Sequence, residues 1–276
     1  MVKIGKCCVL EVMRLTEPGA YLDGGPYGDI LLPGRYVPEN CKVEDEIEVF
    51  ISFDSEDRLV ATTDKPTVMV DEFGFLEVAE VNRFGAFLEW GLPKQLFVPF
   101  REQVLRMKEG LSYLVFVYVD RKTGRIAATS KIRKHLSNTD IELSEGDEVD
   151  LIIADSTELG YHAIVNQKHL GILYHNELFQ PVKTGDQVKG YIKKLRGDGK
   201  IDLSLEKQGY KKVDPVAVKI LEQLKMADGE LLLSDKSDPE IIKSTLGISK
   251  KTFKKAIGAL YKEKKISISD DRIRLL

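Results

Sequence analysis

Phe84-Gly85-Ala86-Phe87, followed by Leu96-Phe97-Val98, is the group of residues in this chain best suited to chemistry. Aromatic faces under the bases and cations along the phosphates hold a single nucleic-acid strand, stacking contributing about 1–3 kcal/mol per base. Cations lie in the same stretch: Lys94, Arg121, Lys122 and Arg125. Residues three apart on an extended strand project to opposite sides. One of Phe84 and Phe87 is therefore expected to face outward and the other inward, unless a bulge intervenes. Glycine or alanine beside an aromatic leaves room for a base to lie flat. A second basic group, Lys250, Lys251, Lys254 and Lys255, falls in the carboxy-terminal part. Lysines suit phosphate contact, and no Asn, Gln or Arg accompanies them to read base edges. A solvated lysine face is the competing reading.

Catalytic alternatives find little support. His162, His169 and His175 crowd together, but their spacing fits no compact ligand motif and no cysteine accompanies them. Glu44-Asp45-Glu46-Ile47-Glu48 reads as a solvated entry to a strand. Phosphate-loop, nucleophile-elbow and Cys-x-x-Cys motifs are absent. No metal, no cofactor and no enzymatic activity are expected. The longest uninterrupted apolar stretch, Leu114–Val119, is far short of the ~20 residues that span a bilayer. Cys7, Cys8 and Cys41 form no disulfide framework. A cytoplasmic protein without membrane partners is the simplest expectation.

The elements that must position these residues repeat. Gly19-Ala20-Tyr21-Leu22, Gly85-Ala86-Phe87-Leu88 and Gly160-Tyr161-His162-Ala163 open equivalent segments. Each is followed by a short apolar strand and closed by a polar-entry strand and a final extended stretch, such as Gly124-Arg125-Ile126-Ala127-Ala128-Thr129. Five short strands per unit, without a long helix, predict small closed barrels whose closure removes exposed edges. Beyond Val213-Asp214-Pro215 apolar residues recur at helical spacing. Asp238-Pro239 is a helix start, Gly247 a helix end and Ser249 a cap for the next helix. With the alternating stretches Ile266–Ser269 and Arg272–Leu275, this is the order of a winged helix-turn-helix. The expected fold is mostly β: barrels over 1–66, 67–141 and 142–213, then a winged-helix domain over 214–276.

Phe84-Gly85-Ala86-Phe87, the Leu-Phe-Val strand and the closing Gly-Arg-Ile-Ala-Ala-Thr resemble the S-one domain, a five-stranded RNA-binding barrel of the oligonucleotide-binding fold. Three such units before a winged helix resemble the bacterial conserved virulence factor B family. The resemblance implies that Phe84 and Phe87 stack on bases and that Arg125 is the basic residue of the closing strand. It places a usually histidine position at Val98. In the first unit Pro18, Tyr21 and Leu32 fall at the three positions. In the third, Leu159, His162 and Tyr174 do so, with Lys200 at the basic one and Lys193 grouped with it.

The formal net charge of −3 argues against a nucleic-acid partner only when taken as a whole. Residues 1–66 carry 7 basic and 13 acidic side chains, 67–141 carry 11 and 9, 142–213 carry 10 and 12, and 214–276 carry 13 and 10. Screening over about 8 Å lets a basic groove act beside an acidic barrel. The reading is a non-enzymatic binder of single-stranded RNA, gripping through its second and third barrels and acting in post-transcriptional regulation. Duplex nucleic acid at the winged helix is a second partner. The competing classes are a winged-helix DNA-binding transcription regulator and a protein-interaction scaffold with degenerate barrels.

Overall fold

A computed structural model describes residues 2–54, 56, 58–178, 180–207, 215–262 and 264–276, in two compact units, Met1–Lys207 and Gln208–Leu276. The change in sequence character at Val213-Asp214 lies outside the described residues.

In the first unit, β1 (Cys7–Thr16), β2 (Gly19–Asp23), β3 (Asp29–Pro33), β4 (Glu46–Phe53) and β5 (Leu59–Thr62) close a barrel in the order β1-β2-β3-β5-β4. The same order recurs with β6 (Phe73–Val81), β7 (Gly85–Leu88), β8 (Leu96–Pro99), β9 (Ser112–Val119) and β10 (Ile126–Thr129), where β8 lies beside β10 without a hydrogen-bonded ladder. It recurs again with β11 (Glu148–Ser156), β12 (Gly160–Val165), β13 (His169–Tyr174), β14 (Gln187–Leu195) and β15 (Ile201–Ser204), which close fully.

Alternation along the strands fills each barrel. Leu10, Val12, Ala20 and Leu22 point into the first; Val78, Ala86, Leu88, Leu96 and Val98 into the second; Val149, Leu151, Ala163 and Val165 into the third. The opening strand of every barrel breaks register once, between Val12 and Arg14, Val78 and Glu80, and Ile153 and Ser156. Such a bulge bends a strand and helps a short sheet curl shut. A glycine opens the second strand each time because the opposite strand approaches its backbone. A Cβ at Gly19, Gly85 or Gly160 would lie 2.1, 2.3 or 2.0 Å from the carbonyl oxygen of Leu32, Val98 or Leu173.

The barrels of this unit are fastened to one another. Phe50 of β4 reaches the second barrel's core and meets Trp90 edge-on, ring centroids 5.8 Å apart. The Val70 amide donates to Gly5 O at 3.0 Å, and Lys6 pairs with Glu72 at 3.2 Å. Between the second and third barrels, the Phe73 amide donates to Gln167 Oε1 at 2.6 Å, and Phe73, Phe116, Ile152 and Ile164 share a buried cluster.

The second unit holds α1 (Pro215–Met226), β16 (Glu230–Leu231), α2 (Pro239–Leu246), α3 (Lys250–Lys262), β17 (Ile266–Ile268) and β18 (Ile273–Leu275), with the sheet ordered β16-β18-β17. Asp238 caps α2 by accepting from the Glu240 amide at 2.8 Å, Gly247 ends it in the left-handed region, and Ser249 Oγ accepts from the Thr252 amide at 3.2 Å. Ile220, Leu224, Ile242, Phe253, Ile257, Leu260, Ile266 and Ile273 form the core of a winged helix. Sequence reading did not anticipate β16, whose two residues are too short to show a period.

Candidate nucleic-acid interface

β7 and β8 present an aromatic platform. Since Ala86, Leu88, Leu96 and Val98 face the core, Phe87 and Phe97 face outward. They are direct cross-strand partners, with centroids 5.1 Å apart and planes at 38°. Phe84 lies just before β7, in a turn where its amide donates to Asn82 Oδ1 at 2.9 Å, and it is 60% exposed. The strand-parity expectation that only one of Phe84 and Phe87 faces outward is therefore corrected: the turn frees Phe84 from strand alternation, and both line one groove. The space at Gly85 is not left for a base, because the Phe97 ring and the Val98 carbonyl occupy it.

Register corrects a further expectation. Val98 and Leu32 are fully buried and present no side chain to a ligand. Gly160 pairs with Tyr174, while Gly85 pairs with Pro99 and Gly19 with Pro33. The positions equivalent to Tyr174 are thus Pro99 and Pro33, one residue beyond those expected from sequence. Both prolines line the groove.

The groove has a volume of about 1200 Å³ and lies between the first two barrels. The second barrel contributes Phe84, Phe87, Phe97, Phe100 and Arg125; the first contributes Pro33, Arg35, Tyr36 and Phe53. Lys94 also lines it, but its Nζ is tied across the seam to the carbonyls of Asp54 at 3.1 Å and Phe53 at 3.5 Å. Two carboxylates at the groove are neutralised in place. Asp120 pairs with Arg101 at 3.3 Å. Asp54 accepts from the Arg58 amide and guanidinium, which hold its carboxyl below the usual range. Guanidinium groups rest against three of the groove's rings: Arg35 on Tyr36 at 4.6 Å, Arg83 on Phe84 at 4.7 Å and Arg106 on Phe100 at 3.9 Å. Arg35, Tyr36, Phe100 and Arg106 escaped sequence reading. The adjacent Arg35-Tyr36 pair was a usable signal, parallel to Arg83-Phe84. Arg121 and Lys122 are exposed on the β9–β10 hairpin and do not line the groove.

In the third barrel the expected residues are each engaged with neighbouring side chains. His162 Nδ1 lies 2.9 Å from Asp155, which also pairs with Arg133. Tyr174 Oη accepts from Arg196 at 2.7 Å, and Arg196 pairs with Asp202 at 2.9 Å. Lys193 pairs with Glu177, and Lys200 with Asp198 at 2.8 Å. Leu159, exposed, occupies the place of Phe84. His169 is buried against Ser137 O at 2.6 Å, and His175 reaches Thr157 O, so the three histidines diverge rather than converge.

On the winged helix, Lys254 pairs with Asp235 at 3.6 Å and Lys250 reaches Lys236 O at 3.5 Å, whereas Lys251 and Lys255 extend from the exposed face of α3. The wing tip carries Asp270 and Asp271, which pair with Lys236 and Arg272 at 2.6 Å each. Among the described residues, no helix is long and apolar enough to cross a membrane.

Comparison with known proteins matches this architecture. A family model described as S1 domain matches residues 4–64 and 74–131, and one described as CvfB-like winged helix domain matches 218–275. Uncharacterized protein YitL of Bacillus subtilis is 31% identical over 95% of this chain and 90% of its own length. Conserved virulence factor B of Staphylococcus aureus is 29% identical over 99% of this chain and 94% of its own. A solved multidomain protein with nucleic acid binding domains from Streptococcus pneumoniae aligns over 99% of this chain and 98% of its own, at 24% identity and a TM-score of 0.42. Oligonucleotide-binding barrels of S1 type beside a winged helix support nucleic-acid binding. With S1 barrels, a CvfB-like winged helix and about 30% identity along essentially the whole chain, the protein belongs to the conserved virulence factor B and YitL family.

Proposed function

We propose that the protein is a non-enzymatic, cytoplasmic RNA-binding protein that holds single-stranded RNA on the outer face of its second barrel and acts in post-transcriptional regulation. The observation carrying this reading is the gathering of Phe84, Phe87 and Phe97 at one groove whose cations include Arg125. Stacking at about 1–3 kcal/mol per base gives two or three rings roughly 2–9 kcal/mol before ordering costs, so phosphate contacts from the groove's cations supply the rest of a micromolar affinity, about 8 kcal/mol. His162, Tyr174, Lys193 and Lys200 make the third barrel a secondary site, because Lys193 and Lys200 are already ion-paired and Leu159 in the place of Phe84 is not aromatic. The test is fluorescence anisotropy with a labelled single-stranded RNA. Phe84→Ala with Phe87→Ala is expected to weaken binding strongly, and unchanged affinity would overturn the assignment.

The exposed lysine face of α3 supports a second contact, with duplex nucleic acid and without sequence preference, since that face carries no Asn, Gln or Arg to read base edges.

A further inference from the structure

The first barrel carries the chain's acidic excess and lacks the paired phenylalanines of the second, so charge alone sets it aside as an RNA contact. Its position does not. Pro33, Arg35 and Tyr36 form a wall of the same groove that the second barrel lines with Phe84, Phe87, Phe97 and Phe100. The wall is held in place. Phe50 is buried with the second barrel's core against Trp90, the Trp90 indole donates to Lys94 O at 2.7 Å, and Lys94 Nζ reaches back to Asp54 O. Tyr36 is itself anchored, its carbonyl accepting from Thr63 Oγ1 at 3.1 Å.

We propose that the first barrel completes the RNA site: Arg35 and Tyr36 take a base and its phosphate from a strand that crosses the seam from Phe84 and Phe87. This rests on the reading that the groove takes single-stranded RNA. The chemistry of the wall fits that occupant. A guanidinium plane against an aromatic ring offers a stacking surface and a phosphate donor at one point, and bases of unpaired RNA stack on both kinds of plane. Arg35–Tyr36 repeats the arrangement of Arg83–Phe84 on the opposite side. The acidic groups nearest the strand's path, Asp54 and Asp120, are already paired with Arg58 and Arg101. The barrel's net charge therefore does not describe its groove wall.

The full chain is titrated with labelled oligouridylates of about 4 and about 12 nucleotides, spanning the usual site sizes of such barrels. Arg35→Gln and Tyr36→Ala should each weaken the longer strand by about fivefold or more, the lower end of one stacked base. They should affect the shorter strand less, because it can sit on the second barrel alone. Tyr36→Phe keeps the ring and should bind as the parent does, and Arg35→Gln alters only an exposed side chain, so loss of affinity is separable from loss of fold. In a strand carrying 4-thiouridine, light should crosslink the RNA to the peptide containing Arg35 and Tyr36. If Phe84→Ala weakens both strands while Arg35→Gln, Tyr36→Ala and the crosslink show nothing, the strand stays on the second barrel and this inference is overturned alone. If Phe84→Ala also changes nothing, the RNA reading of the groove falls with it.

Discussion

Phe87 and Phe97 face each other across β7 and β8, rings 5.1 Å apart, on the outer face of the second barrel. The equivalent pairs are Tyr21 with Leu31 in the first barrel and His162 with Ile172 in the third. An aliphatic residue at the β8 position is thus compatible with the fold. Phe97→Leu should leave the thermal midpoint within a few degrees of the parent, yet weaken single-stranded RNA by roughly fivefold or more if Phe97 supplies a stacking face. Anisotropy and a thermal melt on the same sample separate the two effects.

Gly85 sets how closely β8 can approach β7. A Cβ there would meet Val98 O at 2.3 Å and Phe97 Cε2 at 2.8 Å. Backbone on one side and a packed ring on the other leave no cheap relaxation, so Gly85→Ala should cost about 1–3 kcal/mol, as overpacking does. A urea titration reads that loss as a lower midpoint. The same substitution should weaken RNA, because the Phe97 ring must move.

This glycine explains why so much of the fold was legible. Gly19, Gly85 and Gly160 recur because two strands touch at that point in each barrel, and the repeat could be seen through them even where the aromatics had changed. Caps were equally local: Asp238, Gly247 and Ser249 act on amides or turns within a few residues. The register of β8 was less accessible. Val98 and Pro99 differ by one position, and only the pairing of Gly85 with Pro99 shows which faces out. The far wall of the groove was invisible for another reason. Tyr36 and Phe84 share it because Phe50 and Trp90 lock two barrels together, a long-range contact that neither segment's composition encodes.

His135 stacks on Phe116 at 4.0 Å beside the junction of the second and third barrels. Burial against that ring holds its pKa below the ordinary histidine value; Lys134 acts the same way, against the opposing pull of Glu102 and Asp71. The unfolded chain then binds the proton more readily. Stability is full above about pH 6.5 and is lost as pH falls toward the lower folded value. The residue as a whole remains partly open to water, and solvent screening keeps the slope shallow. Urea midpoints at about pH 8 and pH 5 should differ more for the parent than for His135→Phe, which retains the stack without the titration. An equal drop in both proteins would place the acid sensitivity in the carboxylates instead.

Gly258 occupies the middle of α3, where glycine costs roughly 1 kcal/mol relative to alanine, and a Cβ there would meet nothing within 4 Å. Packing does not require it. At 3.6 residues per turn, Lys251, Lys255, Gly258 and Lys262 fall within about 60° of arc, opposite the buried Phe253 and Leu260. A bare backbone amid lysines lets a phosphate chain approach closely. Gly258→Ala should therefore raise the thermal midpoint of this unit. Gly258→Gln, which leaves the charge unchanged, should weaken duplex binding by steric exclusion. Lys251→Gln with Lys255→Gln should lower the slope of log affinity against log salt by about 1.8 on duplex DNA, at roughly 0.9 per phosphate contact. If duplex affinity and slope survive both changes, the lysines of α3 are a solvated face and the glycine has no ligand to admit.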